Sequence, residues 1–178
     1  MHSASNVWQM VEPVIVVGYD PRWAATFSRL RDLIAGSLGD LPATIEHVGG
    51  TSVPGAAAKP IIDIDVVLAS RGHISRAIQL LTTAGYRHLG DLGIVGREAF
   101  DSPAGLSAHH LYVVVLGNSE HLRHLRFRDY LRSHPEETRR YSELKKSLAI
   151  SFRNDREAYT EAKSDFVEGV LRMASETP

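Results

Sequence analysis

Length, composition and charge limit the class of protein before any motif is considered. The chain has 178 residues, of which 43% are hydrophobic and 23% charged, and its formal net charge is −1. This composition is typical of a globular domain and argues against disorder. The nearly neutral charge provides no overall attraction for nucleic acid or a membrane surface. Because the chain has no cysteine, disulfides, thiolate zinc sites and cysteine nucleophiles are excluded.

The sequence has no feature of a membrane or secreted protein. No apolar run approaches the roughly 18 residues that a membrane helix needs. The first residues lack the basic start and apolar stretch of a signal peptide. We therefore expect a cytoplasmic protein with a short N-terminal tail over residues 1–10 and a single domain over residues 11–178.

Hydrophobic periodicity predicts strands and helices in alternation, followed by helices alone. The expected elements of the first part are a strand at Val14–Val17, a helix from Pro21 to about Gly39, strands at Ala43–Val48 and Ile61–Ala69, a helix at about His73–Ala84, and strands at Tyr86–Leu89, Arg97–Phe100 and His109–Leu116. The last third predicts helices at about Ser119–His134, Glu136–Phe152 and Arg156–Ala174. The predicted fold class is α+β, with a mixed β-sheet of roughly five strands flanked by helices and a helical C-terminal third.

The strand predicted at Ile61–Ala69 carries the clearest chemical signal. Side chains alternate along a strand, so Ile62 and Ile64 share an apolar face, and Asp63 and Asp65 share the other face. These carboxylates lie roughly 6–7 Å apart and repel each other unless a cation or a proton intervenes. One or two Mg²⁺ ions would relieve the repulsion and position a triphosphate. We therefore predict that both aspartates bind metal and are catalytic.

A glycine-rich loop precedes this strand and is suited to binding phosphate. Gly49 and Gly50 permit close approach of the backbone to a ligand. Backbone N–H groups, together with the hydroxyls of Thr51 and Ser52, would hold phosphate oxygens, and Lys59 would add a positive charge. A nucleoside triphosphate bound with Mg²⁺ is the ligand that this combination predicts.

Two longer patterns connect these residues to known proteins. Val48-Gly49-Gly50, followed after twelve residues by Asp63-Ile64-Asp65, resembles the signature of the nucleotidyltransferase superfamily. More specifically, the chain resembles the GrpB family of small bacterial proteins in the segments Glu46–Gly55, Lys59–Asp63, Tyr19-x3-Trp23, His109-His110-Leu111, Phe127–Arg132, Tyr141-x3-Lys145 and Tyr159-x3-Lys163. Gly50 stands where that family usually has serine. The resemblance implies a nucleotidyltransferase-type fold, and family members fused to dephospho-CoA kinase imply nucleotide or coenzyme metabolism.

A third carboxylate is the part of the superfamily site that this sequence lacks at the usual place. Enzymes of the nucleotidyltransferase superfamily usually carry this carboxylate on a later strand, but the last predicted strand, His109–Leu116, contains no carboxylate. Glu98 and Asp101 lie on or near the preceding strand, and either of them, or neither, supplies the group. His110 and Tyr112 share a face of the last strand and are candidates for the wall of the site, as is His47.

The helix predicted at Ser119–His134 has a basic stripe. His121, His124, Arg128 and Arg132 recur at spacings of three or four residues. Either the stripe faces a cleft, where Arg128 and Arg132 bind phosphate, or it is a solvated face with Arg128 paired to a carboxylate.

These features together predict a Mg²⁺-dependent nucleotidyltransferase, with a nucleoside triphosphate and an unknown small-molecule acceptor as its substrates. The first alternative is a non-catalytic nucleotide- or coenzyme-binding protein on the same fold. The second is an interaction protein that uses the basic helix over residues 119–134. Lys145 and Lys163, each one helical turn after a tyrosine, are predicted to be surface lysines beside buried stripes, with a position over the edge of the site as the alternative.

Overall fold

The computed structural model describes residues 13–176. The predicted N-terminal tail, residues 1–10, lies outside the described residues, as do both ends of the predicted domain over residues 11–178. The elements follow in the order α1 (Arg22–Leu38), β1 (Ala43–Val48), β2 (Ile62–Leu68), α2 (Ile74–Thr83), β3 (Arg87–Gly90), β4 (Arg97–Asp101), β5 (His109–Val115), α3 (Ser119–Ser133), α4 (Pro135–Ser151), α5 (Arg156–Glu161) and α6 (Ser164–Glu176).

The five strands form one mixed sheet in the order β1-β2-β5-β4-β3. β2 is antiparallel to β1 and parallel to β5. β5 is antiparallel to β4, which is antiparallel to β3. β2 lies between β1 and β5, so both of its edges are hydrogen-bonded. The chain leaves β2 through α2 and enters β3 at the far edge of the sheet. The predicted mixed sheet is confirmed, and the strand that carries the two aspartates lies inside it.

α1 and α2 cover one face of the sheet. Ile62 and Ile64 of β2 are buried there in a cluster that includes Ile34 of α1 and Leu81 of α2. Burying each of these side chains contributes roughly 1.5–3 kcal/mol. The predicted alternation along β2 is therefore present, and it places the aspartates on the opposite face.

The C-terminal helices build a second cluster around the connection that leads into β2. Val53 and Ala56 of this connection pack with Leu131 of α3, Tyr141 of α4 and Val170 of α6. The helices are thereby attached to the chain between the glycine turn and the aspartates. This packing brings α4 and α5 beside the sheet face that carries Asp63.

Two predicted elements differ from the structure. Val17 makes an isolated antiparallel bridge with Ala58, so the strand predicted at Val14–Val17 does not join the sheet. The helix predicted at Arg156–Ala174 is instead the two helices α5 and α6. Neither glycine nor proline stands between α5 and α6, and side-chain spacing alone could not locate the break. Within residues 13–176, no helix has the length and apolar character needed to cross a bilayer.

Candidate functional site

The glycine turn after β1 lies directly against Asp63. Gly49 has a φ of 73°, in the left-handed region that glycine adopts most readily. A Cβ atom at Gly49 would overlap Oδ2 of Asp63, so this approach requires glycine. The following residues, Gly50–Ser52, form one 3₁₀ turn. The first N–H groups of such a turn have no partner within it.

Asp63 is joined to β5 through His110. The two residues are in register on the parallel strands, and Nδ1 of His110 donates a hydrogen bond to Oδ1 of Asp63 at 2.8 Å. A carboxylate acceptor at Nδ1 orients the imidazole ring and leaves Nε2 free for another partner. Both side chains line a common cavity, in which Asp63 keeps its second oxygen, Oδ2, on the side of the glycine turn.

Asp65 has a different environment, although it shares the face of Asp63. Its side chain is 1% exposed, and Oδ2 accepts hydrogen bonds from Nδ1 of His121 at 2.9 Å and Nδ1 of His124 at 2.8 Å. Burial favours the neutral acid, but the two histidine hydrogen bonds outweigh it and hold the pKa of Asp65 below its usual value. The other oxygen, Oδ1, is buried without a hydrogen-bond partner within residues 13–176. Because α3 covers Asp65, its predicted roles in metal binding and catalysis lack support.

The two arginines of the α3 stripe bind acceptors of the protein itself and do not line the cavity. Arg128 donates to the carboxylates of Glu46 and Asp129 at 2.8 and 2.7 Å. Arg132 donates two hydrogen bonds to the carbonyl oxygen of Ser52, at 3.0 and 2.8 Å. Because neither arginine lines the cavity, the predicted phosphate contacts of Arg128 and Arg132 lack support. The alternative of an interaction protein that uses this helix stays a prediction.

The turn residues and His47 serve mainly to hold the turn in shape. Thr51 Oγ1 lies 3.0 Å from Nε2 of His47, and Ser52 Oγ donates to the carbonyl oxygen of Gly49 at 2.6 Å. His47 stacks on Phe27 with ring centres 4.6 Å apart. Burial, partly opposed by the charge of Asp63, lowers the pKa of His47 to about 4. His47 is therefore neutral near pH 7 and supports the turn from behind, outside the cavity wall.

A cavity of about 360 Å³ opens between the sheet and the C-terminal helices. Of the residues predicted for the site, those that line it are Gly49, Gly50, Thr51, Lys59, Asp63, His110 and Tyr112. Those that do not are His47, Ser52, Asp65, Arg128 and Arg132. The C-terminal helices complete the wall with residues that include His124, Tyr141, Lys145, Tyr159 and Lys163.

Three lysines of this wall lie against tyrosine rings. Nζ of Lys145 is 4.2 Å from the centre of the Tyr141 ring. The Nζ atoms of Lys163 and Lys59 are 4.3 and 5.9 Å from the centre of the Tyr159 ring. Within residues 13–176, none of the three ammonium groups forms an ion pair with a carboxylate. In this part of the chain, the three lysines therefore line the cavity without a direct ion-pair partner, and Asp63 is the carboxylate that shares the cavity with them.

The prediction that Lys145 is a surface lysine is wrong, since this residue is 3% exposed. Lys163 is half-buried in the same wall. The repeated Tyr-x3-Lys spacing was the available signal, because residues four apart on a helix are neighbours and a lysine can lie over an aromatic face. What spacing could not show is that both Tyr–Lys pairs line the same cavity as the glycine turn.

The pKa values of the lysines are lowered by their surroundings. Burial lowers the pKa of Lys145 to about 7, and the charge of Lys163 adds to this effect while Asp63 opposes it. Burial and the charge of Lys59 lower the pKa of Lys163 to about 8. The pKa of Lys59 is also lowered, first by burial and then by Arg156. An anion entering the cavity would stabilise the charged form of all three.

No carboxylate stands on β5 beside the aspartates of β2. His110 and Tyr112 occupy the positions in register with them. The two alternative candidates, Glu98 and Asp101 of β4, are bound to basic side chains of β3 at 2.6 and 2.7 Å. Neither of them lines the cavity, so the structure shows no third carboxylate at this site among the described residues.

The fit of Mg²⁺ to these residues depends on Asp63. Within residues 13–176, no three His, Asp or Glu side chains are grouped so as to hold a metal ion. Mg²⁺ is usually held by one or two carboxylates together with substrate phosphates and water. Asp63 Oδ2 can supply one such ligand beside the lysines. The residues therefore fit one Mg²⁺ that arrives with a phosphate ligand, and they do not fit a two-metal centre built by the protein alone.

The sheet, the glycine turn and the aspartate strand define a nucleotidyltransferase-like fold. A crystal structure of the Cid1 poly(U) polymerase bound to MgATP matches 73% of this chain and 42% of that chain, with a TM-score of 0.53 and 12% identity. At this identity the likeness shows the fold alone. Residues 13–173 match the family described as GrpB protein, and the chain belongs to this family.

Two relatives match most of the chain. The crystal structure of the conserved protein GrpB from Enterococcus faecalis covers 90% of this chain and 96% of that chain, with a TM-score of 0.81 and 31% identity. The UPF0157 protein YqkA of Bacillus subtilis is 34% identical over 155 residues, which are 87% of this chain. The matched part spans 45% of the length of YqkA.

Proposed function

We propose that the cavity binds a nucleoside triphosphate through its phosphates. The observation that carries the proposal is the set of three lysines, Lys59, Lys145 and Lys163, that line the cavity without a direct ion-pair partner within residues 13–176 and with Asp63 as the carboxylate beside them. Buried cations without partners are costly, and a polyphosphate supplies the missing charge. The N–H groups at the start of the Gly50–Ser52 turn add donors for phosphate oxygens.

Mg²⁺ belongs to the same proposal. It would bind to Asp63 and to phosphate oxygens, and when bound it neutralises phosphate charge and fixes the orientation of the phosphates. His110 holds the Asp63 carboxylate in place from β5. The Cid1 polymerase, which shares the fold, was crystallised with MgATP. Because nucleoside triphosphates are abundant in the cytoplasm, we also propose a cytoplasmic location.

Nucleotidyl transfer to a small acceptor is the second candidate function. The fold and the position of Asp63 beside the glycine turn favour it. In this reaction an acceptor oxygen would attack the α-phosphorus in line, the new P–O bond would form as the bond to the β-phosphate breaks, and pyrophosphate would leave. Nε2 of His110, whose Nδ1 is bonded to Asp63, would accept the acceptor proton. Catalysis would rest on positioning and on charge stabilisation.

Calorimetric titration with a non-hydrolysable ATP analogue and Mg²⁺ tests the binding proposal. The matched variants are Lys145→Met and Lys146→Met, neighbours on α4 of which the first is buried in the cavity wall and the second is exposed. We expect Lys145→Met to weaken binding at least tenfold and Lys146→Met to leave it within twofold. Equal binding by both variants would contradict the proposal. Release of pyrophosphate from ATP, measured with a panel of acceptors, separates transfer from binding alone.

A further inference from the structure

Arg97 is a fourth cationic group in the cavity, and unlike the three lysines it lies on the sheet. It lies at the start of β4, is 9% exposed and lines the cavity. Its guanidinium carbon is 4.5 Å from the centre of the Tyr112 ring. Nη2 donates to the carbonyl oxygen of Asp91 at 3.2 Å, and Nε is buried without a hydrogen-bond partner within residues 13–176. In the same part of the chain, no carboxylate pairs with Arg97.

Such an environment is unusual for a structural arginine. A guanidinium has five N–H donors and stays charged in proteins, so burial without a carboxylate is costly. Arg128, by contrast, is paired with two carboxylates. Stacking on Tyr112 fixes the plane of the Arg97 guanidinium, and a fixed planar fork is suited to bind the two oxygens of a carboxylate or a phosphate.

Sheet topology separates Arg97 from the lysines. β4 is two strands away from β2 in the order β2-β5-β4, a distance of about 10 Å across the sheet. Lys59 lies on the connection before β2, Lys145 on α4, and Lys163 between α5 and α6. The cavity thus has a lysine end and an arginine end, and β5, which carries His110, lies between the strand of Arg97 and the strand of Asp63.

We propose that Arg97 binds an oxyanion of a second substrate, so that the acceptor is a small molecule carrying a carboxylate or a phosphate. This proposal rests on the proposed function in one respect, which is that the lysine end holds the nucleotide. The reactive oxygen of an acceptor anchored on Arg97 would lie toward His110 and Asp63. Arg97 would thus select acceptors that carry a negatively charged group away from the oxygen that reacts.

Binding of three probes with the same carbon skeleton tests the proposal. Glycerol 3-phosphate, glycerate and glycerol are titrated into the full chain saturated with the non-hydrolysable ATP analogue and Mg²⁺. We expect one anionic probe to bind at least tenfold more tightly than glycerol, and the identity of that probe distinguishes phosphate from carboxylate. Arg97→Met should remove this preference, and Arg97→Lys should keep part of it. Both variants should bind the nucleotide analogue within twofold of the wild type.

Two results would overturn the assignment of Arg97. One is equal binding of all three probes by the wild type, a measurement that does not depend on any variant folding. The other is a loss of nucleotide binding in Arg97→Met as large as its loss of anion binding, which would place Arg97 in the nucleotide site. If the nucleotide fails to bind but an anionic probe still binds in an Arg97-dependent way, the proposed function fails and the anion site stands.

Discussion

Lys145 lies with its ammonium group 4.2 Å from the centre of the Tyr141 ring, one turn earlier on α4, and a Cβ atom at Gly50 would come within 2.9 Å of the same Nζ. The ring thus supports a buried cation against the glycine turn. This contact joins the C-terminal helices to the loop before β2. The expected effects of pH and of several substitutions depend on this contact and on Asp63 and Asp65.

The affinity for nucleotide should fall as the pH rises above about 7. Burial lowers the pKa of Lys145 to about 7 and that of Lys163 to about 8, so binding a polyphosphate requires proton uptake at higher pH. Each lysine that takes up a proton contributes up to about a tenfold loss of affinity per pH unit. Titrations between about pH 7.5 and 9.5, above the second phosphate pKa of about 6, measure the effect. Lys145→Met should flatten the dependence, whereas Lys146→Met should retain it.

Gly49→Ala should disturb both folding and binding. Its positive φ of 73° strains any other residue, by about 1–3 kcal/mol, and the new Cβ would push Asp63 aside. Gly55→Ala is the matched control, because Gly55 has a φ of 84° and no heavy atom within 4 Å of a built Cβ. Both variants should therefore lower the free energy of unfolding in urea. A loss of Mg²⁺-dependent binding in Gly49→Ala that Gly55→Ala does not share would separate the steric effect from the backbone strain.

Asp63→Asn should weaken nucleotide binding mainly in the presence of Mg²⁺. The substitution keeps the shape of the side chain and removes the charge that would hold the metal ion. Glu98→Gln, on β4 and outside the cavity, should leave the Mg²⁺ dependence unchanged. Calorimetry with Mg²⁺ and with EDTA compares the two conditions. An unchanged response to Mg²⁺ in Asp63→Asn would remove Asp63 from the metal site.

Asp65→Asn should mainly reduce stability. Removing one partner of a buried ion pair costs about 3–5 kcal/mol, whereas Asp63→Asn at a partly exposed pair should cost about 1 kcal/mol or less. Chemical unfolding of both variants measures the difference. If Asp65→Asn abolished metal-dependent binding while leaving the unfolding free energy unchanged, Asp65 would be a ligand and not an anchor of α3.

The stabilisation lost in Asp65→Asn should depend on pH. The pKa of Asp65 is lowered from 3.8, so its contribution is present above this value and is lost as the pH falls through the lowered pKa. Burial opposes protonation of His124, but Asp65 and Glu120 outweigh it and raise the pKa above 6.5. That contribution is present below 6.5 and is lost as the pH rises through the raised pKa. The difference from wild type should therefore be largest between about pH 4 and 6.5, as measured by unfolding at several pH values.

The sequence by itself determined the mixed sheet, the strand that carries the two aspartates inside it, and the meeting of the glycine loop with Asp63. Alternation with a period of two depends only on local backbone geometry, so it places Ile62 and Ile64 in the core and the aspartates on the other face. Most element boundaries followed from the same local patterns.

Only the tertiary structure decided that two aspartates of one face have different environments. His121 and His124 lie 56 and 59 residues from Asp65 along the chain, and the packing of α3 over β2 brings them to it. The same packing turned Arg128 toward Glu46 and left Lys145 facing the cavity. Periodicity shows which residues share a helix face, but the element that the face meets depends on how the helices pack against the sheet.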